Sequence, residues 1–253
     1  MLILVWIILF SILGSVGAIV IALFFISLGK KYQQKLVNYL VAYATGTLLS
    51  AAALGMIPTA IQRAGTGIQL VMSFFLGGIL FFFILEKLVI WRHCHDQECE
   101  ITESATGPII LVGDAFHNFV DGIVIAASFL IDFFIGITVS ISVIAHEIPQ
   151  EIGDLAILMD KNYSKKKAFR YNTLSGLTTL PAAILGYYIL DLLSLTIPYV
   201  LAISAASFVY IALSDLTPEL HKRIGNKFMI YQLLLIFAGV FTMVVIFIWK
   251  SLI

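Results

Sequence analysis

The chain has 253 residues, 60% of them hydrophobic and only 12% charged, with a formal net charge of zero. A water-soluble domain would carry about 25% charged residues, so the composition excludes an ordinary soluble domain. The charge balance gives no basic surface for nucleic acid.

Apolar runs long enough to cross a bilayer, about 20 residues each, recur along the whole chain. Eight spans are predicted in order, at about 2–28, 36–57, 68–91, 108–130, 133–159, 168–190, 197–215 and 229–250. The short turn after Leu130 makes the fourth and fifth spans a tight hairpin. The expected fold is an all-α polytopic membrane protein, eight transmembrane helices in one bundle, with 1–253 forming a single domain.

Lys30, Lys31 and Lys35 fall between spans one and two, and Lys87 and Arg92 between three and four. Lys161, Lys165, Lys166, Lys167 and Arg170 fall between five and six, and Lys222, Arg223 and Lys227 between seven and eight. Only Arg63 and Lys250 belong to the other side. Short Lys- and Arg-rich connections stay cytoplasmic, so both termini are expected outside, in a plasma or inner membrane. No charge precedes Lys30, which argues against a cleaved signal peptide at the apolar start.

Two spans carry ionisable groups that lipid should not tolerate. A carboxylate at the bilayer centre costs roughly 2.5–3.5 kcal/mol even on lenient insertion scales, so such residues normally face a cavity or substrate path. In the fourth span Asp114, His117 and Asp121 stand at i, i+3 and i+7 on one helix face, with Asn118 beside His117. In the fifth, Glu147, Glu151 and Asp154 stand at i, i+4 and i+7, with His146 and Gln150 on the adjoining ridge. Neither stretch holds a Lys or Arg, so the missing positive charge is assigned to the substrate.

Imidazole nitrogen with carboxylate oxygen suits Zn2+ or Fe2+, with Cd2+, Mn2+ or Co2+ as passengers. No catalytic cofactor is expected. Pro149 frees the Ala145 carbonyl beside His146, and Pro181 frees that of Leu177 in the sixth span. Gly122 and Gly153 allow close helix approach. Blander readings exist: Asn118 or Gln150 alone would be interhelical glue, and Asp114 and Asp154 could simply be hydrated near the membrane surfaces.

The segment His117-Asn118-Phe119-Val120-Asp121-Gly122 resembles the HNxxDG motif of the ZIP (Zrt/Irt-like) family of divalent metal-ion transporters. The segment His146-Glu147-Ile148-Pro149-Gln150-Glu151-Ile152-Gly153-Asp154 is similar to the HExPHExGD of one branch. Tyr210-Ile211-Ala212-Leu213-Ser214-Asp215 with Pro218-Glu219 resembles that branch's seventh-helix ending. The resemblance implies inward movement of zinc or iron between helices four and five, with His117, His146, Glu147 and Gln150 as ligands. Asn118 and Asp121 would complete that site or extend it into a second one. Gln150 departs from the branch's second His and would offer a neutral amide oxygen, with Glu151 as a substitute. Thr179-Leu180 precede Pro181 where some prokaryotic members carry a glutamate, which weighs against a second metal site.

The connection at about 92–107 holds His93, Cys94, His95 and Cys99, a tract able to capture or sense an ion on the cytoplasmic side, or else a polar connector. A stable disulfide between its cysteines is not expected in a reducing compartment. An intramembrane zinc metalloprotease is the enzyme alternative, but H-E-x-x-H needs a second His where Gln150 stands. A carboxylate-based proton-coupled transporter would explain the acids but not two histidines aligned with Asn118. The expected partners are a divalent metal ion and the lipid bilayer, with no nucleic acid; a homodimer is left open. Histidine must be neutral to bind metal, so acid should weaken uptake.

Overall fold

The computed structural model describes residues 2–27, 30–65, 67–93, 106–160, 163–221 and 226–252. Helices dominate these residues, and no strand occurs among them. Eight are long and apolar enough to cross a membrane: α1 (Leu2–Phe25), α2 (Leu36–Ala64), α3 (Ile68–Leu88), α4 (Leu111–Ile131), α5 (Phe133–Met159), α6 (Lys165–Leu192), α7 (Ser194–His221) and α8 (Phe228–Trp249). The spans match the sequence expectation within a few residues, except that α2 and α7 run on by about two turns. Both are carried through by a π-helical turn, Ala51–Met56 and Ile211–Leu216, ending two residues before Pro58 and Pro218. Proline cannot donate to the carbonyl four residues back, and a wider turn lets the helix continue past that gap. In α7 the Thr217 hydroxyl donates to the Ala212 carbonyl at 2.7 Å within this wider turn.

The bundle sorts its helices by burial. Windows of α4, α5 and α7 are 61% buried, whereas those of α3 and α8 are 11% buried and present Phe, Leu and Ile outward. Apolar side chains of α3 and α8 thus meet the bilayer, and α4 and α5 are shielded by the rest. α4 packs against α5, α6, α1 and α7, and α5 packs against α1 and α2. Ser142 on α5 donates to the Thr47 carbonyl of α2 at 3.2 Å, tying the two helices near their middles.

The tight α4–α5 hairpin comes from one residue. Asp132 separates the helices, and its Oδ1 accepts from the backbone N–H groups of Phe134 and Ile135 at 3.0 and 3.1 Å. That is a helix N-cap, satisfying donors with no intrahelical partner. Gly122 supplies the second device, since a Cβ there would overlap the Thr179 carbonyl of α6. Without a side chain, α4 approaches α6 backbone to backbone. Gly153 behaves otherwise: a Cβ there meets nothing within 4 Å, because the residue borders open space.

Pro149 sits inside a helix that runs unbroken from Phe133 to Asp160. Pro181 lies just past a break at Leu177 and Thr178 that divides α6. At the break the Thr178 hydroxyl lies 2.7 Å from the Ala115 carbonyl of α4, so the interruption becomes a contact with the fourth span.

Candidate metal centre between the fourth and fifth helices

Antiparallel packing turns the polar stripes of α4 and α5 toward each other. His117 and Asp121 from α4 meet His146 and Glu147 from α5, with one ligand atom from each within 4.8 Å of all the others. His146 Nε2 lies 3.1 Å from Asp121 Oδ2 and 3.1 Å from His117 Nε2. His117 Nε2 lies 3.4 Å from Glu147 Oε1 and 3.8 Å from Asp121 Oδ2, and His146 Nε2 lies 3.7 Å from Glu147 Oε1. Asp121, His146 and Glu147 are almost wholly buried, and His117 forms the one partly open wall.

The tautomer of His146 follows from its neighbour. Its Nδ1 lies 2.9 Å from the Ser142 carbonyl, one turn back on α5, which can only accept. Nδ1 therefore carries the proton, and in the neutral ring Nε2 points a lone pair at Asp121 and His117. Both oxygens of Asp121 and both of Glu147 are buried without a hydrogen-bond partner. Buried acceptors without donors are costly, and here they converge from two helices onto one spot. A tetrahedral zinc site with bonds of about 2.0–2.1 Å has ligand–ligand edges of about 3.3 Å. Five of the six separations among these donors, 3.1–3.8 Å, are near that edge, and the sixth lies within 4.8 Å.

Asn118, Gln150, Glu151 and one oxygen of Asp114 are engaged outside this quartet. Asn118 donates to Asp114 Oδ1 at 3.0 Å, and its own oxygen accepts from the Thr179 hydroxyl at 2.8 Å. Gln150 also donates to Asp114 Oδ1, at 3.1 Å. Glu151 turns away to α6, where the Asn172 amide donates to its carboxylate. Asn172 was not foreseen from sequence. A lone amide near the start of a span carries no signal until its partner is known.

A cavity of about 620 Å³ opens beside the quartet. Its wall includes His117, Asp121, Asp114, Gln150 and Asp154 and, further out, Glu86, Tyr210, Asp215 and Glu219. Among the described residues, no Lys or Arg lines it. These outer residues belong to the ends of α3 and α7 that lead into the Lys- and Arg-rich connections. Glu86 accepts from the Tyr210 hydroxyl, joining α3 to α7 at the mouth. Glu86 could have been found as an acid inside an apolar run, whereas Lys87 beside it reads as the start of a loop. Toward the opposite end of the bundle, Val124, Ile125, Phe129, Val139 and Val143 close the path as buried core. Among the described residues, the cavity approaches the site from the other side.

Cys94, His95 and Cys99 of the connecting tract lie outside the described residues, and of His93 only its backbone, at a helix end, is described.

Comparison with known proteins adds an independent line. The family model described as ZIP Zinc transporter matches residues 92–247, which include both helices of the quartet. "Zinc transporter foi" of Drosophila melanogaster is 35% identical over 153 residues, 59% of this chain and 21% of that protein. "Zinc transporter zipt-7.2" of Caenorhabditis elegans is 35% identical over 149 residues, 57% of this chain and 32% of that protein. "Zinc transporter ZIP13" of Pongo abelii is 31% identical over 220 residues, 81% of this chain and 65% of that protein. The chain therefore spans between a fifth and a third of the length of the first two relatives.

Proposed function

The chain belongs to the ZIP zinc transporter family, and from that premise we propose that it carries divalent transition-metal ions, zinc foremost, across its membrane into the cytoplasm. The carrying observation is the convergence of two imidazoles and two carboxylates, with four carboxylate oxygens unpartnered and no basic residue among the described lining residues. A dication supplies the charge that these groups lack. Two nitrogen and two oxygen donors favour zinc and tolerate Fe2+, Mn2+ or Cd2+. The relatives carry transporter names, and the chain reads as a transporter and not an enzyme.

Direction rests on the family resemblance, and the orientation of the bundle on charge. Thirteen of the fifteen Lys and Arg fall on the connections at one end of the bundle or on the helix ends beside them, which supports a cytoplasmic position for that end. The cavity opens at the same end, so the conformation described is the releasing one. An ion in the quartet loses hydration to imidazole and carboxylate, and His146 keeps its orientation through the Ser142 carbonyl. It departs by exchanging these ligands for water and for the acids of the cavity wall. Exchangeable nitrogen and oxygen ligands, with no thiolate, suit a site that must let go.

Uptake of labelled zinc into proteoliposomes tests this reading. His117→Ala and His146→Ala should each lower the flux by more than the roughly 10–100-fold typical of disturbing a ligand's supporting contacts. Flux equal to wild type in both variants would remove the quartet as the transport site.

A further inference from the structure

We propose that Asp114, Gln150 and Asp154 form a second, oxygen-only seat for a divalent cation, between the quartet and the cavity mouth. The proposal rests on the quartet being the transported ion's first site, and it assigns the next stop on the way out.

The argument starts from Asp114, which is only 4% exposed yet lines the cavity. Its two oxygens are treated unequally. Oδ1 accepts from the amide nitrogens of Asn118 and Gln150 at 3.0 and 3.1 Å. Oδ2 has no hydrogen-bond partner. The Ser175 hydroxyl on α6 lies beside this carboxyl, but its single proton is directed to the Asn172 carbonyl at 3.0 Å. Two helices thus clamp one oxygen and leave the other bare in a buried wall, where an unpaired carboxylate oxygen is costly. A donor or a cation has to fill that position.

The other ligands lie on α5. Gln150 has committed its nitrogen to Asp114, so its amide oxygen remains as an acceptor in the same wall. Asp154 stands four residues further, one helical turn toward the mouth, and lines the same cavity. Asp114 and Asp121 are seven residues apart, about 10 Å along the helix axis at 1.5 Å per residue. One ion cannot contact both, so this is a separate seat. It is also separate from any extension of the quartet through Asn118, whose amide is occupied at both ends by Asp114 and Thr179.

Carboxylate and amide oxygens suit Mn2+, Mg2+ or Ca2+ and hold zinc less firmly than imidazole does. A weaker seat downstream of a tighter one lets an ion leave in two small steps.

The test uses the full chain in nanodiscs and two probes. Mn2+ binding is followed by the loss of its free electron-paramagnetic-resonance signal, and Zn2+ binding by competition with a chromophoric chelator. In a His117→Ala/His146→Ala background, tight Zn2+ binding should vanish while Mn2+ still binds. Adding Asp114→Asn should weaken that Mn2+ binding at least tenfold, and adding Asp154→Asn instead several-fold. Asp114→Asn alone should keep tight Zn2+ binding, which also shows that the variant folds. Mn2+ binding unchanged by Asp114→Asn, or absent from the double-histidine background, overturns the seat. Loss of tight Zn2+ binding in Asp114→Asn alone also overturns it, since Asp114 would then support the quartet. If tight Zn2+ binding survives the double-histidine change, the quartet reading fails instead.

Discussion

Two groups of buried acids lie within a few turns of each other on α4 and α5, and their surroundings are opposite. Glu151 accepts from Asn172, and Asp114 Oδ1 accepts from the amides of Asn118 and Gln150. Asp121 and Glu147 face two imidazoles and each other, and none of their four oxygens has a hydrogen-bond partner. Asn118 is in turn held by Thr179, so the first group forms a belt that binds α4, α5 and α6 together. Each acid of the belt is tied to protein donors through one oxygen, with Asp114 Oδ2 and Glu151 Oε1 left over, whereas the acids of the quartet have no such tie. Groups satisfied by protein should govern stability, and groups left unsatisfied should govern binding.

The largest test of that contrast lies in the quartet. Asp121→Asn removes a ligand charge and should weaken zinc binding by about 100-fold or more, at the top of the range for disturbed ligand support. The metal-free protein should melt no lower than wild type, because an uncompensated buried charge has been removed. A chelator-competition titration and a melt in detergent with chelator separate the two effects. A large drop in metal-free stability would erase the distinction between the regions.

The matched belt should answer in reverse. Asn172→Leu leaves the Glu151 carboxyl buried without its donor and should lower stability by about 3 kcal/mol, the upper end for an orphaned buried group because Glu151 has no access to water. Zinc affinity should move by less than about threefold, under 0.7 kcal/mol on the usual scale. Gly122→Ala should follow with about 2 kcal/mol of overpacking, since its Cβ would press on the Thr179 carbonyl. Melting temperatures in one detergent rank the two. A fall in zinc affinity of tenfold or more from Asn172→Leu would move Glu151 into the metal site.

The quartet and the eight spans were readable from sequence for related reasons. Apolar periodicity marks a helix, and acids at i, i+3, i+4 and i+7 inside it must share a face. What the sequence left open is the direction of each side chain around that face. Gln150 matched a ligand position by its place in the motif, but its amide turns to Asp114. Glu151, about 100° further around the helix, looks to α6, and no spacing within α5 could announce Asn172. Glu86 and Asp215 join the cavity wall only because α3 and α7 pack side by side, a long-range fact that local pattern does not encode.

Thr179→Val is the smallest and sharpest test. Valine keeps the shape of threonine and removes only the hydroxyl that reaches Asn118 Oδ1 at 2.8 Å. One buried acceptor is then left without a donor, which should lower stability by about 1 kcal/mol. Asn118 still donates to Asp114, so the quartet one turn away should keep its geometry and its zinc affinity within about twofold, or 0.4 kcal/mol. Because volume is conserved, no change in helix spacing confuses the result. A measured loss of zinc affinity larger than the loss of stability would mean that Asn118 holds the quartet as well as the belt. The two regions would then be one coupled unit, with α6 setting how tightly the ion is held.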